Sequence, residues 1–150
     1  MAMTRSASAT WQGDLPTGEG TVSTASDFLQ AVPTSWRART EDATGQTSPE
    51  ELLAAAHGGC FTMSLAGELT GAGTPPGRLD VHCRITMDEV EGQGHLIVHS
   101  ALEVRAQVEG VGEDAFAEAV DAAHRGCSFS SLLRAAGVGI DIETVLEGGD

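Results

Sequence analysis

The residues of this chain best suited to chemistry are its three cysteines, Cys60, Cys83 and Cys127. An odd number of cysteines does not suit a structural disulfide framework, so any pairing is expected to be catalytic or transient. The thiolate is the reactive form, and a cation, a hydrogen-bond donor or a helix N-terminus must stabilise it. Cys60 is expected in mid-helix, where the dipole helps little, and Cys127 at a helix start. The residues alone therefore leave open which cysteine attacks first, and a packing role remains an alternative for Cys60.

A long helix over residues 47–73 is predicted to carry Cys60. Ser48 suits the N-cap, Pro49 suits the first helical position, and Glu51 has the spacing of a capping box. Apolar residues at three- and four-residue steps are expected to form the buried stripe: Leu53, Ala56, Cys60, Met63 and Ala66. About 22 residues make a rod of roughly 33 Å, which other elements or a second copy of the chain must cover.

Three ionisable side chains are candidates to act with Cys60. His57 lies three residues before it on the same helical face, although a neutral core histidine is an equally good interpretation. Glu50, in the first turn, lies about 15 Å along the axis from Cys60, so it cannot touch the sulfur but can hold an arginine. Arg39 is a candidate cation, predicted near the end of a third strand over residues 36–40; for both charges a solvated surface role is the alternative.

The remaining elements predict an α+β fold, because strands group with strands. In chain order they are a hairpin of residues 9–12 and 20–24, long antiparallel strands over 78–90 and 95–108, helices over 112–123 and 128–136, and a last strand over 138–142. The two long strands alternate, so one face of their sheet must be covered, and the long helix is the obvious cover. Cys83 belongs to the inward row and is interpreted as a packing residue without polar neighbours on that face.

The composition excludes several classes of function. The net charge is −14, from 8 basic and 22 acidic residues, and no basic cluster exists to bind nucleic acid or an anionic membrane. No apolar run reaches the ~18 residues of a membrane span, and the N-terminus lacks a signal-peptide core, so a cytoplasmic location is expected. The length suits a single domain over residues 1–150, with residues 1–8 and 148–150 expected to fray.

Two cysteine motifs carry a resemblance to a known family. The run TSPEELLAAAHGGCF is followed, 67 residues after its cysteine, by the cysteine of GCSFSSLLRA, and the opening WQGDLPTGEGTVST adds to the match. Together they resemble the OsmC/Ohr family, the osmotically inducible protein C and organic hydroperoxide resistance proteins, over residues 9–146. His57 fits the OsmC branch better than the Ohr branch.

The resemblance implies an intertwined α+β homodimer that reduces hydroperoxides with two cysteines. By position, Cys60 matches the peroxidatic cysteine and Cys127 the resolving one. Glu50 matches the glutamate at the helix start. Arg39 matches the family's arginine, with Arg37 as the competing choice because the intervening loop can vary in length.

Two further residues are assigned to substrate binding, His57 and Phe61, since apolar helix faces would line a pocket for alkyl or lipid hydroperoxides. The chain departs from the family pattern at Ser128, where a proline commonly follows the second cysteine, and at Gly58-Gly59, where alanines are usual. Neither departure removes a reacting atom.

The hypothesis is therefore a thiol peroxidase of oxidative or osmotic stress defence. A Cys60 sulfenic acid condenses with Cys127 to a disulfide, and an external dithiol, with a lipoyl-type dithiol as one candidate, restores both thiols. No cofactor or metal is expected. The alternatives are a metal-binding module of Cys60, Cys127, His57 and His124, which lacks typical ligand spacing, and a non-catalytic, stress-induced dimer that binds small molecules.

Overall fold

The computed structural model describes residues 1–148, and the chain separates into two compact units, Met1–Leu52 and Leu53–Asp150. The single domain expected over residues 1–150 stays a prediction. Residues 149 and 150, expected to fray, lie outside the described residues. At the other end, Ala7 and Ser8 pair with Thr24 and Ser23 in a strand, so the predicted fraying of residues 7 and 8 is wrong.

The first unit contains an antiparallel three-stranded sheet. Strands β1 (Ala7–Gln12) and β2 (Glu19–Thr24) form the predicted hairpin, and β3 (Val32–Thr34) pairs with β2. In the connecting turn, the Asp14 carboxylate accepts hydrogen bonds from the backbone amide of Thr17 at 2.8 Å and from its hydroxyl at 2.7 Å. This is the turn chemistry expected of an aspartate at such a position.

The predicted third strand over residues 36–40 is wrong, because this segment is a short helix, α1 (Trp36–Thr40). The Ser35 hydroxyl accepts a hydrogen bond from the Ala38 amide at 3.1 Å and so caps the helix N-terminus. One turn of helix and a short strand both bury every second or third residue, so five residues cannot distinguish the two patterns. Arg39 therefore lies on a helix and not at a strand end.

The long helix α2 (Pro49–Gly71) is confirmed, with the Ser48 hydroxyl accepting from the Glu51 amide at 3.1 Å. The reciprocal half of the capping box is absent, because the Glu51 carboxylate accepts from the Thr47 hydroxyl at 2.7 Å. The predicted apolar stripe is also wrong. The buried face consists of His57, Gly58, Phe61, Leu65 and Leu69, and Met63 is 72% exposed. Because α2 is apolar on more than one side, periodicity alone fits two stripes, and packing selects the one with the larger side chains.

The second unit contains a sheet ordered β4 (Arg78–Val90), β5 (Gly94–Gln107) and β6 (Gly139–Glu147). The antiparallel pairing of β4 with β5 is confirmed, and β6 adds to β5 in parallel, so this sheet is mixed. Gly92 and Gly94 allow the tight turn between the long strands, because their φ angles are 74° and 79°.

The core of the second unit lies between this sheet and its helices, which include α3 (Glu113–Gly126) and α4 (Ser128–Ala135). It is built from the buried face of α2, the inward row of β5 and the apolar stripe of α3: Phe61, Leu65, Leu69, Leu102, Val104, Ala106, Val108, Val111, Phe116, Val120, Ala123 and Cys127. The predicted α+β class is confirmed. Within residues 1–148, no helix is long and apolar enough to cross a bilayer.

Candidate active site

Cys127 joins two helices and caps one of them. It is the single residue between α3 and α4, its amide donates to the Ala123 carbonyl at 2.8 Å, and its sulfur accepts from the Ser130 amide at 3.4 Å. Its side chain is fully buried. The predicted place of Cys127 at a helix start is therefore confirmed, and its sulfur takes the position that a serine or aspartate usually occupies at an N-cap.

Cys60, on α2, has its sulfur at the first turn of α4. Its Sγ lies 4.0 Å from the Ser128 hydroxyl. Burial would raise the pKa of the Cys60 thiol, but hydrogen bonds from the Phe129 amide, the Cys127 thiol and the Ser128 hydroxyl and amide outweigh it and hold the pKa below its ordinary value. The N-terminus of α4 thus stabilises a thiolate at Cys60, which supplies the activation that mid-helix placement lacks.

Cys83 is the cysteine least suited to react. Its sulfur lies 3.6 Å from the Ser100 hydroxyl and 3.9 Å from His57 Nδ1, so the prediction that it has no polar neighbours on its face is wrong. Burial raises the pKa of its thiol in spite of these contacts. All three cysteines are free thiols in this structure.

His57 lies in the interior and uses both ring nitrogens. Nδ1 is 2.8 Å from the Ser100 hydroxyl, and Nε2 is 2.8 Å from the Ser130 hydroxyl. Burial, and then repulsion from the nearby His124, lower the pKa of His57, so the imidazole is neutral at physiological pH. The sequence offered one signal for this network, since Ser100 is the polar residue in the otherwise apolar inward row of β5; nothing marked Ser130.

The structure gives no accessible surface to the two residues predicted to bind substrate. His57 and Phe61 are both 0% exposed, and Phe61 packs within the core of the second unit. Their burial supports a structural role for both, and substrate contact by either stays a prediction.

In the first unit, Arg39 and Glu50 form a two-pronged ion pair. Arg39 Nη2 donates to Glu50 Oε1 at 2.6 Å, and Arg39 Nε lies 3.1 Å from the same oxygen and 3.3 Å from the other. The guanidinium also lies 5.5 Å from the centre of the Trp36 ring. The competing Arg37 pairs instead with Glu41, and both of those side chains are largely exposed. The geometry therefore favours Arg39 as the arginine held by the helix-start glutamate.

The ion pair shifts the pKa of each partner in the direction that favours its charged form. Burial would raise the pKa of Glu50, but the hydrogen bonds from Arg39 outweigh it and lower that pKa, and the same bonds raise the pKa of Arg39. Because the pKa of Glu50 is lower in the folded state, its carboxylate stabilises the fold above the unfolded pKa. That stability is lost as the pH falls through the folded pKa.

A Glu50→Gln variant is therefore expected to be less stable than the parent at neutral pH, by about 1–2 kcal/mol given the partial exposure of Arg39. The difference should shrink as the pH falls from the unfolded pKa through the lowered folded pKa of Glu50, because the parent's carboxylate then becomes neutral as well. Urea denaturation of both proteins across this pH range measures it. Glu41→Gln is the matched control, with an expected change of about 0.5 kcal/mol or less at every pH. If the stability loss of Glu50→Gln and that of Glu41→Gln depended on pH in the same way, the stabilising role assigned to the Arg39–Glu50 pair would be contradicted.

The residues of the alternative metal site do not come together as a ligand set. Among residues 1–148, no group of three or more His, Cys, Asp or Glu side chains is placed to hold a metal ion. Both nitrogens of His57 are already engaged by serines, which leaves no lone pair for a metal.

Comparison with known proteins agrees with the fold, and the matched regions include both cysteine motifs. The family model described as OsmC-like protein matches residues 41–143. Peroxiredoxin OsmC of Escherichia coli (strain K12) is 36% identical over 135 residues, which span 90% of this chain and 93% of that protein.

Solved structures show the same fold at lower identity. The organic hydroperoxide resistance protein OhrB of Bacillus subtilis superposes with a TM-score of 0.67 at 19% identity, over 95% of this chain and 98% of that one. An OsmC-like protein of Vibrio cholerae superposes with a TM-score of 0.76 at 11% identity, over 96% of this chain and 100% of that one. The matches in sequence and in fold place this chain in the OsmC family.

Proposed function

We propose that this chain is a thiol-dependent peroxidase that reduces organic hydroperoxides in stress defence, with Cys60 as the nucleophile. One observation carries the proposal: the Cys60 sulfur lies at the first turn of α4, whose N-cap is a second cysteine. The identity to a protein named as a peroxiredoxin supports the reaction class. Cys60 is partly exposed whereas Cys127 is buried, which makes Cys60 the sulfur that a substrate reaches first.

In the first step, the Cys60 thiolate attacks one oxygen of the hydroperoxide. An S–O bond forms as the O–O bond breaks, the departing alkoxide takes a proton to leave as an alcohol, and Cys60 becomes a sulfenic acid. The amides of Ser128 and Phe129 stabilise the attacking thiolate before the reaction. The lowered pKa raises the fraction of Cys60 that is present as the thiolate.

In the second step, the Cys127 sulfur attacks the sulfenic sulfur. An S–S bond forms as the S–O bond breaks. The sulfenic hydroxyl combines with the thiol proton of Cys127 and leaves as water. To react, Cys127 gives up the hydrogen bond that it accepts from the Ser130 amide. An external dithiol then reduces the disulfide by exchange, and a lipoyl-type dithiol is the candidate that we propose.

We assign supporting roles to Arg39 and Glu50 in this scheme. We propose Arg39 as the cation of the scheme, as the family resemblance implies, and Glu50 holds its guanidinium in one plane through the paired hydrogen bonds. Glu50 is thus a positioning residue.

The proposal predicts a peroxide-dependent disulfide. Reduced protein mixed with one equivalent of an organic hydroperoxide should lose two hydrogens, mapped by mass spectrometry to a peptide linking Cys60 with Cys127, because the sulfenic acid condenses with the adjacent thiol. In a Cys127→Ser control, the same treatment should add one oxygen at Cys60 instead. Unchanged thiols in folded protein would refute the proposal and favour the non-catalytic small-molecule-binding dimer.

Two further features complete the proposal, a homodimer and a cytoplasmic location. The dimer is supported by apolar side chains left exposed in the single chain, including Met63 at 72% and Leu132 at 60%. Sedimentation of the reduced protein at several concentrations measures the oligomeric state.

A further inference from the structure

The network around His57 links the helix that carries Cys60 to the helix that Cys127 caps. His57 lies three residues before Cys60 on α2, and Ser130 lies three residues after Cys127 on α4. The bond between His57 Nε2 and the Ser130 hydroxyl, at 2.8 Å, therefore joins α2 to α4 one helical turn from each sulfur. Both side chains are fully buried, so water does not compete for this bond.

Ser130 acts through two different atoms. Its hydroxyl is bonded to His57, while its backbone amide donates to the Cys127 sulfur at 3.4 Å. The amides of Ser128 and Phe129, in the same turn, stabilise the Cys60 thiolate. A shift of this single turn would consequently change the surroundings of both reactive sulfurs.

The other side of the imidazole anchors the network within the second unit. His57 Nδ1 is 2.8 Å from the hydroxyl of Ser100, which is fully buried on β5. A histidine held at both nitrogens cannot rotate without losing a hydrogen bond, and an unmade buried bond is costly. This rigidity suits a residue that fixes another element in place.

We propose that His57 and Ser130 are positioning residues whose hydrogen bond holds the first turn of α4 against Cys60. Without that bond, the turn is free to move away from the Cys60 sulfur, and Cys127 moves with it. The inference rests on the proposed function for its consequence in turnover. Its direct readout, the reactivity of the Cys60 thiol toward an alkylating agent, requires no peroxide, so the two can fail separately.

The test compares two serines bonded to the same imidazole. Ser130→Ala removes the link to α4, whereas Ser100→Ala removes a buried hydroxyl bond of equal length that does not reach α4. The rate at which iodoacetamide alkylates Cys60 is followed by mass spectrometry across a pH range, with thermal unfolding measured in parallel. Ser130→Ala should lower the thiolate fraction of Cys60 at neutral pH by about three- to tenfold, because donors to a thiolate are lost. Ser100→Ala should have a clearly smaller effect, about twofold, because the bond between His57 and Ser130 remains although the imidazole loses its anchor on β5.

A second pair of variants keeps the test decisive if Ser130→Ala does not fold. His57→Gln places an amide near the position of Nε2 and can still reach Ser130, whereas His57→Asn reaches only toward Ser100. His57→Gln should keep the parent's alkylation profile. His57→Asn should show the same loss of Cys60 thiolate as Ser130→Ala. Equal profiles for Ser130→Ala and Ser100→Ala, or for the two His57 variants, would overturn the inference and leave the network a purely structural one.

Discussion

Replacement of Cys60 by serine is expected to abolish hydroperoxide reduction, with a fall in kcat/KM on the order of a thousandfold or more, as loss of a covalent nucleophile usually produces. A serine hydroxyl stays protonated at the first turn of α4, and its oxygen cannot form the sulfenic acid on which the scheme depends. Steady-state turnover of an organic hydroperoxide with an excess of a dithiol measures the effect.

The other two cysteines provide matched controls for this prediction. Cys127→Ser should still consume about one equivalent of peroxide in a single turnover and then stall, since the sulfenic acid at Cys60 lacks its partner. Cys83→Ser should retain turnover within a few-fold, because burial keeps this thiol protonated and the scheme gives it no step. Full turnover by Cys60→Ser, or loss of turnover in Cys83→Ser alone, would contradict the assignment of the nucleophile.

Phe61→Ala is expected to have the largest effect on stability, a loss of about 3–5 kcal/mol in the free energy of unfolding. Phe61 is 0% exposed and packs in the core with Leu65 and Leu102, so truncation removes a large apolar side chain and leaves a cavity. A loss of this size is a large fraction of the stability of an ordinary domain. Urea denaturation monitored by circular dichroism gives the value.

The same truncation at an exposed site serves as the control. Phe28 is 87% exposed, so Phe28→Ala should change the free energy of unfolding by about 0.5 kcal/mol or less. The pair of variants also separates two roles for Phe61. A residue that binds substrate without supporting the core would raise KM in the alanine variant and leave stability near that of the parent, which is the opposite of the expected result.

Elements with a strong local period were predicted well from the sequence. Strands β4 and β5 alternate between inward and outward residues, and α3 has an apolar stripe of Phe116, Val120 and Ala123. Each of these elements buries one face, so its sequence pattern indicates which side is covered. The cap at Ser48 and the position of Cys127 at a helix start were also predicted, since both depend on residues within one turn of the chain.

Other features could not be predicted because the deciding contact is distant in the chain. The buried face of α2 is centred on Phe61 and not on Met63, since the core of β5 and α3 selects one of two apolar faces. Cys83 has polar neighbours because His57 and Ser100, 26 and 17 residues away, converge on it. The segment from Trp36 to Thr40 was too short for its pattern to identify a helix.

By itself, the sequence determined that Cys60 lies on a long helix with Glu50 in its first turn and that Cys127 lies at a helix start, in motifs that resemble those of the OsmC/Ohr family. Only the tertiary structure decided that amides of α4 act on the Cys60 sulfur as well as on that of Cys127. Cys127 caps that helix, yet the Ser128 and Phe129 amides stabilise Cys60, 68 and 69 residues before them in the chain. The reason is physical: the pKa of a thiol depends on the donors and the burial around its sulfur, and those are fixed by packing between elements and not by neighbours in the sequence.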